Sequence, residues 1–137
     1  MRYKRVFILS LLLSCVCLIH NAQAQKNIYK ATVDSDGVQR VKIIGGDYFF
    51  NPDYIIVQVN KPVELTIMKE SGVVPHNIVI KAPEAGIDIN ESLSTTPKTV
   101  RFTPTKTGKY HFECDKQLLF FKSHKERGME GIIEITD

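Results

Sequence analysis

The stretch Val38-Gln39-Arg40-Val41-Lys42-Ile43-Ile44 sets Val41 and Ile43 against Arg40 and Lys42. Successive side chains of a strand point to opposite faces, so this alternation describes a strand with one face in a core and the other in water. A helix would space its buried residues three and four apart instead. Working outward, the short runs Tyr54 to Val59, Val63 to Met68, His76 to Ile80, Thr99 to Phe102, Lys109 to Cys114 and Gly131 to Thr136 have the same strand-like composition. Asn60-Lys61-Pro62, Thr103-Pro104 and Thr107-Gly108 punctuate them with residues that end strands and turn chains. The pattern predicts an all-β protein, a Greek-key β-sandwich of about seven to eight strands. Two segments break it. Ala82 to Lys98 is expected to be loop or a short helix, and Asp115 to Gly128 is irregular.

The amino terminus has a different character. Arg2, Lys4 and Arg5 precede an apolar run from Val6 to Ile19, and Ala22-Gln23-Ala24 follows with small residues around a cleavable position. That order is the secretory signal pattern. It predicts cleavage after Ala24, export to the periplasm or an equivalent compartment, and one domain over residues 25–137. The apolar run is short of the roughly 20 residues that span a bilayer, so no membrane span is expected after cleavage. Three of the 18 Lys and Arg residues lie in this leader, whereas all 15 Asp and Glu lie beyond it, which leaves the domain charge-balanced. Its composition gives no reason to expect nucleic acid or an anionic membrane as a partner.

Cys15 and Cys17 fall in the leader, so Cys114 is the domain's only cysteine. An exported domain with one thiol makes no internal disulfide. The thiol must be buried, paired between chains or bound to metal. Its neighbours in sequence favour metal. His76, Cys114, His124 and Met129 offer two imidazoles, a thiolate and a thioether, the donor set of a mononuclear electron-transfer copper site. Thiolate favours Cu(I), imidazole serves both oxidation states, and a weak thioether commits to neither. Taken singly, a histidine is more often a satisfied core residue and a methionine more often packing.

Four segments carry a family resemblance. Val74-Pro75-His76-Asn77-Ile78-Val79-Ile80 resembles the first-ligand segment of plastocyanin-like and azurin-like cupredoxins. Gly108-Lys109-Tyr110-His111-Phe112-Glu113-Cys114 is similar to their strand leading into the cysteine. Gly128-Met129-Glu130-Gly131-Ile132-Ile133 resembles their methionine and final strand. Phe50-Asn51-Pro52-Asp53-Tyr54-Ile55-Ile56-Val57, followed by Pro62-Val63-Glu64-Leu65, looks like their opening strands. The likeness spans about residues 38–136. It implies one copper ion, Cu(I) or Cu(II), held by His76, Cys114, His124 and Met129. It also implies that the Asn77 side chain bonds the backbone beside Cys114 and ties the two ligand segments together. Alternation along the strand puts Tyr110, Phe112 and Cys114 on one face and leaves His111 at the surface.

The departure from the family is the ligand loop. Asp115 to Ser123 separates the cysteine from His124, where familiar cupredoxins have only a few residues. The insertion carries Leu118-Leu119-Phe120-Phe121 between Lys116 and Lys122. Those four residues either pack over the end of the sandwich and shield the metal, or form a docking surface for a redox partner beside His124.

Electron carriage as a soluble blue copper protein, exchanging electrons with a redox partner protein, is the leading function. Copper storage or delivery is an alternative, as is a partner-binding module with zinc or no metal, since zinc accepts Cys and two His. No enzyme activity is expected. Multicopper oxidases and copper nitrite reductases need further histidines, and the domain has only His76, His111 and His124. A binuclear copper centre needs a second cysteine in the loop. Glu113, Asp115, Glu126 and Glu130 read as solvated charges rather than an acid–base pair.

Overall fold

The computed structural model describes residues 26–137. The leader and its cleavage position lie outside them. Among the described residues no helix is long and apolar enough to cross a membrane.

The ten strands are β1 (Ile28–Lys30), β2 (Gln39–Gly46), β3 (Phe49–Asn51), β4 (Tyr54–Gln58), β5 (Val63–Lys69), β6 (Asn77–Ala82), β7 (Ile87–Ser92), β8 (Lys98–Phe102), β9 (Gly108–Glu113) and β10 (Glu130–Thr136). They form a six-stranded sheet in the order β1-β4-β10-β9-β6-β7 and a four-stranded sheet in the order β3-β2-β5-β8. The all-β architecture follows the sequence expectation, with three strands more than the runs identified there. β1 and β3 are three-residue edge pieces. β7 is the real miss, because its segment is expected to be loop or short helix. A short 3-10 turn, Pro83–Ala85, does occur there, but Ile87–Ser92 then pairs antiparallel with β6 along its whole length. Only Ile87 and Ile89 of that strand are buried, and Asp88, Asn90 and Glu91 are residues depleted in strands. β7 is the outer strand of its sheet. There, polar and charged side chains discourage further strand addition.

The alternation in β2 holds: Gln39, Val41 and Ile43 are buried while Arg40 and Lys42 are exposed. Val63, Leu65 and Ile67 repeat it in β5, as Ile133 and Ile135 do in β10. The two inner faces meet in one core, where Phe50 of β3 and Phe112 of β9 pack edge to face at 5.3 Å between ring centroids. Burying such a side chain contributes about 1.5–3 kcal/mol, and the core continues up to Cys114 and Met129.

Sheet order brings the expected donors together. β9 lies between β6 and β10 and runs antiparallel to both. The residue before β6 (His76), the residue after β9 (Cys114) and the residue before β10 (Met129) therefore fall at the same end of the sheet.

Candidate metal centre

His76, Cys114 and His124 are buried, and their ligand atoms lie within 4.8 Å of one another. His76 Nδ1 is 3.1 Å from His124 Nδ1. Cys114 Sγ is 3.4 Å from His124 Nδ1 and 4.0 Å from His76 Nδ1. A triangle with these sides has its centre about 2.1 Å from each corner, which matches bonds of roughly 2.0–2.3 Å from imidazole nitrogen and thiolate sulfur to a transition metal. The donor set and its spacing could hold a metal ion. Burial holds the His76 imidazole below its ordinary pKa, helped by the neighbouring His124 and Lys69 charges. Burial and then the Arg127 charge do the same for His124. Both rings are thereby favoured in the neutral form that binds metal.

The backbone sets these positions. The Cys114 amide donates to the Met129 carbonyl at 3.0 Å, the Met129 amide to the His124 carbonyl at 3.0 Å, and the His124 amide to the Lys116 carbonyl at 2.9 Å. The nine-residue insertion is closed at its base by the His124–Lys116 backbone bond, so that His124 reaches the cluster despite the long spacing. His124 opens a 3-10 turn, Lys125–Arg127, which ends at Gly128 in the left-handed region (φ 101°) and turns the chain into β10.

The Asn77 side chain is fully engaged. Its Oδ1 accepts from the Asp115 amide at 3.2 Å, and its Nδ2 donates to Asp115 Oδ1 at 2.8 Å and to Asn90 Oδ1 at 3.1 Å. Its own amide donates to Cys114 Sγ at 3.5 Å. One residue therefore joins the His76 segment, the Cys114 segment and β7, and places a donor on the sulfur. Phe112 and Cys114 are buried, Tyr110 is half-buried beside them, and His111 is exposed, as the strand alternation predicts. Of the nearby carboxylates, Glu113 pairs with Lys125 and Glu126 accepts from the Ser123 amide.

Met129 is fully buried. Its Cε would stand 3.2 Å from a Cβ at Gly45, and Leu93 Cδ1 only 2.7 Å away. The close packing of Met129 on β2 thus depends on the absence of a side chain at position 45. Sequence reasoning missed Gly45, although it directly follows the alternating run that defines β2. It also missed Tyr48, whose ring stands edge-on to His124 at 5.0 Å and to His76 at 6.3 Å, under the Arg127 guanidinium at 4.5 Å. Tyr48 sits in a tight turn with φ 65°. Only the pairing of β2 with β3 brings it over the two imidazoles, so no local signal marks it.

Leu118 to Phe121 lie beside the cluster but do not shield it. All four are exposed, Phe120 completely. Of the two roles the sequence leaves to them, packing over the sandwich end is not what the structure shows. A depression of about 400 Å³ separates the insertion from the Val73–Pro75 segment, with Tyr48 and His124 in its lining.

Fold and cluster together define a small β-sandwich protein with a buried cysteine and two imidazoles at one end. The family model for the cupredoxin-like domain matches residues 7–128, and the chain belongs to that family. Among curated proteins, no sequence match is found. The metal-binding domain of the Cu(I)-exporting P-type ATPase CopA of Streptococcus pneumoniae D39, solved with Cu(I), superposes with a TM-score of 0.62 at 21% identity, covering 82% of this chain and 99% of that one. Reduced auracyanin from Roseiflexus castenholzii does so with a TM-score of 0.57 at 20% identity, over 78% of this chain and 99% of that one. A copper-binding protein in the apo form gives 0.55 at 19% identity, over 79% and 96%. At such identities the likeness speaks to the fold.

Proposed function

We propose that this protein binds one copper ion through His76 Nδ1, Cys114 Sγ and His124 Nδ1, with Met129 as the weak axial donor, and carries electrons. The observation that supports this reading best is the buried triangle of two imidazole nitrogens and one sulfur, whose size suits a single transition metal. Copper in such a set exchanges one electron between Cu(I) and Cu(II). The chain supplies the rest. His76 and His124 present nitrogens favoured in the neutral form from two separate segments. The Asn77 amide donates to the sulfur and withdraws charge from the thiolate, which tunes the potential. Asn77 and Phe112 are buried beside the donors, and Cys114 itself is fully buried, which keeps water from the sulfur. The His124 side chain lines the surface depression and is the donor placed to pass an electron outward.

On this reading the leader is removed after Ala24, the domain works in the periplasm or an equivalent exported compartment, and its partner is a redox protein. No substrate chemistry is performed. The test is the visible spectrum of residues 25–137 after one equivalent of Cu(II). An intense blue thiolate-to-copper band, lost in Cys114→Ser and accompanied by a reversible one-electron couple, is the expected result. Tight Cu(I) binding without that band, with ready transfer to an acceptor, would replace electron carriage by copper delivery.

A further inference from the structure

The insertion carries an apolar tip with no counterpart inside the protein. The Phe121 amide donates to the Leu118 carbonyl at 3.0 Å, and Gln117 Nε2 donates to the Phe121 carbonyl at 2.9 Å. Leu119 adopts φ 48° at the turn between them. This closed turn pushes Leu119 and Phe120 outward, with relative exposures of 76% and 100%, flanked by Leu118 at 64% and Phe121 at 58%. Across the depression a second loop presents Val73 at 99% exposure. Two loops at one end of the sandwich thus hold bulky apolar side chains in water, the kind of patch that marks a protein or membrane contact.

The charged side chains that line the depression share one sign. Lys116, Lys122 and Arg127 line the depression, and no carboxylate does. Among the described residues none of these three cations enters an ion pair: Lys125, by contrast, is held by Glu113. The two carboxylates of the loop are engaged by groups within the fold, Asp115 by Asn77 Nδ2 and Glu126 by the Ser123 amide.

We infer that the Leu118–Phe121 tip and Val73 dock this end of the protein on an anionic bilayer surface, with Lys116, Lys122 and Arg127 against the lipid phosphates. Apolar side chains above a skirt of cations, Lys116 and Lys122 outside any ion pair and Arg127 resting on the Tyr48 ring, match the two layers of a membrane interface, acyl chains beneath anionic headgroups. A fully exposed phenylalanine at the apex of a turn needs a deep, shaped socket in a folded partner. Acyl chains need no such match. The balanced charge of the whole domain hides this local excess, which explains why composition gives no hint of it. The inference does not depend on bound metal, so its test separates it from the copper reading.

Every described strand and core residue lies within residues 28–136, so the domain is made from residue 25 onward, without the apolar run 6–19 that would itself partition into lipid. The chain has no tryptophan, so Phe120→Trp gives a single emission reporter at the tip. The metal-free protein is titrated with vesicles of phosphatidylglycerol in phosphatidylcholine and with phosphatidylcholine alone. The expected result is a blue shift of the Trp emission on the anionic vesicles only. Affinity should fall at least about tenfold in Lys116→Glu/Lys122→Glu and in high salt. Co-sedimentation of the domain carrying the native Phe120 should likewise be lost in Phe120→Asp, whose circular dichroism stays native because the residue touches no core. No blue shift on anionic vesicles, an equal shift on uncharged ones, or co-sedimentation that survives Phe120→Asp overturns the inference. So does a tip that responds only to an added acidic protein, which would make it a protein docking site.

Discussion

Between Cys114 and Met129 one continuous stretch has two opposite characters. Its inner side holds Cys114, His124 and Met129 in full or nearly full burial, pinned by backbone bonds among Cys114, Met129, His124 and Lys116. Its outer side, Leu118 to Phe121, is just as apolar and stands in water on one backbone turn bond and one from the Gln117 side chain. Hydrophobicity alone therefore does not decide what enters the core. Cys114 and Met129 flank β9 and β10, where the sheet order delivers them between the layers. The insertion starts beyond the last rung of the ladder and has no layer to pack against.

The largest effect expected from this contrast is on stability, with two phenylalanines as the comparison. Phe112→Ala empties a site between the sheets, against Phe50, and should cost about 3–5 kcal/mol. Phe120→Ala removes the same ring from full exposure and should stay within about 0.5 kcal/mol. Urea unfolding at unchanged slope measures both. Comparable losses in the two variants would mean that the tip is core in solution, and the contrast would fail.

Next in size is Asn77→Ala. The deletion removes the acceptor of the Asp115 amide and the donor to Asp115 Oδ1 in a part-buried place beside an exposed Asp115, so about 1 kcal/mol should be lost. Because this side chain joins the His76 segment to the start of the loop, the copper-loaded variant should also show a shifted or weakened blue band. An unchanged band together with unchanged stability would show that the loop orients itself without Asn77.

Gly45→Ala should cost no more. The added Cβ meets Leu93 Cδ1 and Met129 Cε, both ends of flexible side chains, so overpacking should stay near the low end of about 1–3 kcal/mol. Its signature is spectroscopic: if Met129 is the proposed axial donor, its displacement should change the ratio of absorption bands in the copper form. Full loss of folding would mean that the backbone, not a side chain, has to yield.

These residues also show how much was legible in the sequence. The sandwich was, because Val41 and Ile43 in β2 and Val63, Leu65 and Ile67 in β5 alternate as one-sided strands must. The convergence of His76 and Cys114 was, because each adjoins a strand whose composition marks it, whereas His124 joins them from the irregular loop and the sequence named it only as part of a donor set. β7 was not, since its two isoleucines sit among residues that strands avoid and only pairing with β6 makes it a strand. Gly45 and Tyr48 were not either. Their roles arise across the two sheets, and a linear reading holds no trace of contacts made by the chain's return. The exposure of Leu118 to Phe121 was undecidable for a related reason: four apolar residues look the same in sequence whether or not a layer waits for them.

The smallest expected effect lies at the opposite end of β2, where Arg40 bonds Asp34 and Asp36 at 2.6 Å each and Glu64 at 3.3 Å. Here neither core burial nor a site holds the groups. The Arg40 guanidinium, with a bond from the Val38 amide, lowers the Asp36 carboxyl from 3.8 to about 2. A carboxyl depressed by folding stabilises the fold above its unfolded pKa and loses that contribution as pH falls through the folded one. The advantage of the native protein over Asp36→Asn should therefore be whole above about pH 4 and vanish towards about pH 2. Full exposure and salt screening keep it small at all pH values. Urea midpoints of the two proteins compared across that window, at low and high salt, measure it. A gap that stays constant with pH would assign the effect to local turn geometry rather than charge, and this end of β2 would then owe its order to backbone bonding, as the inner side of the ligand loop does.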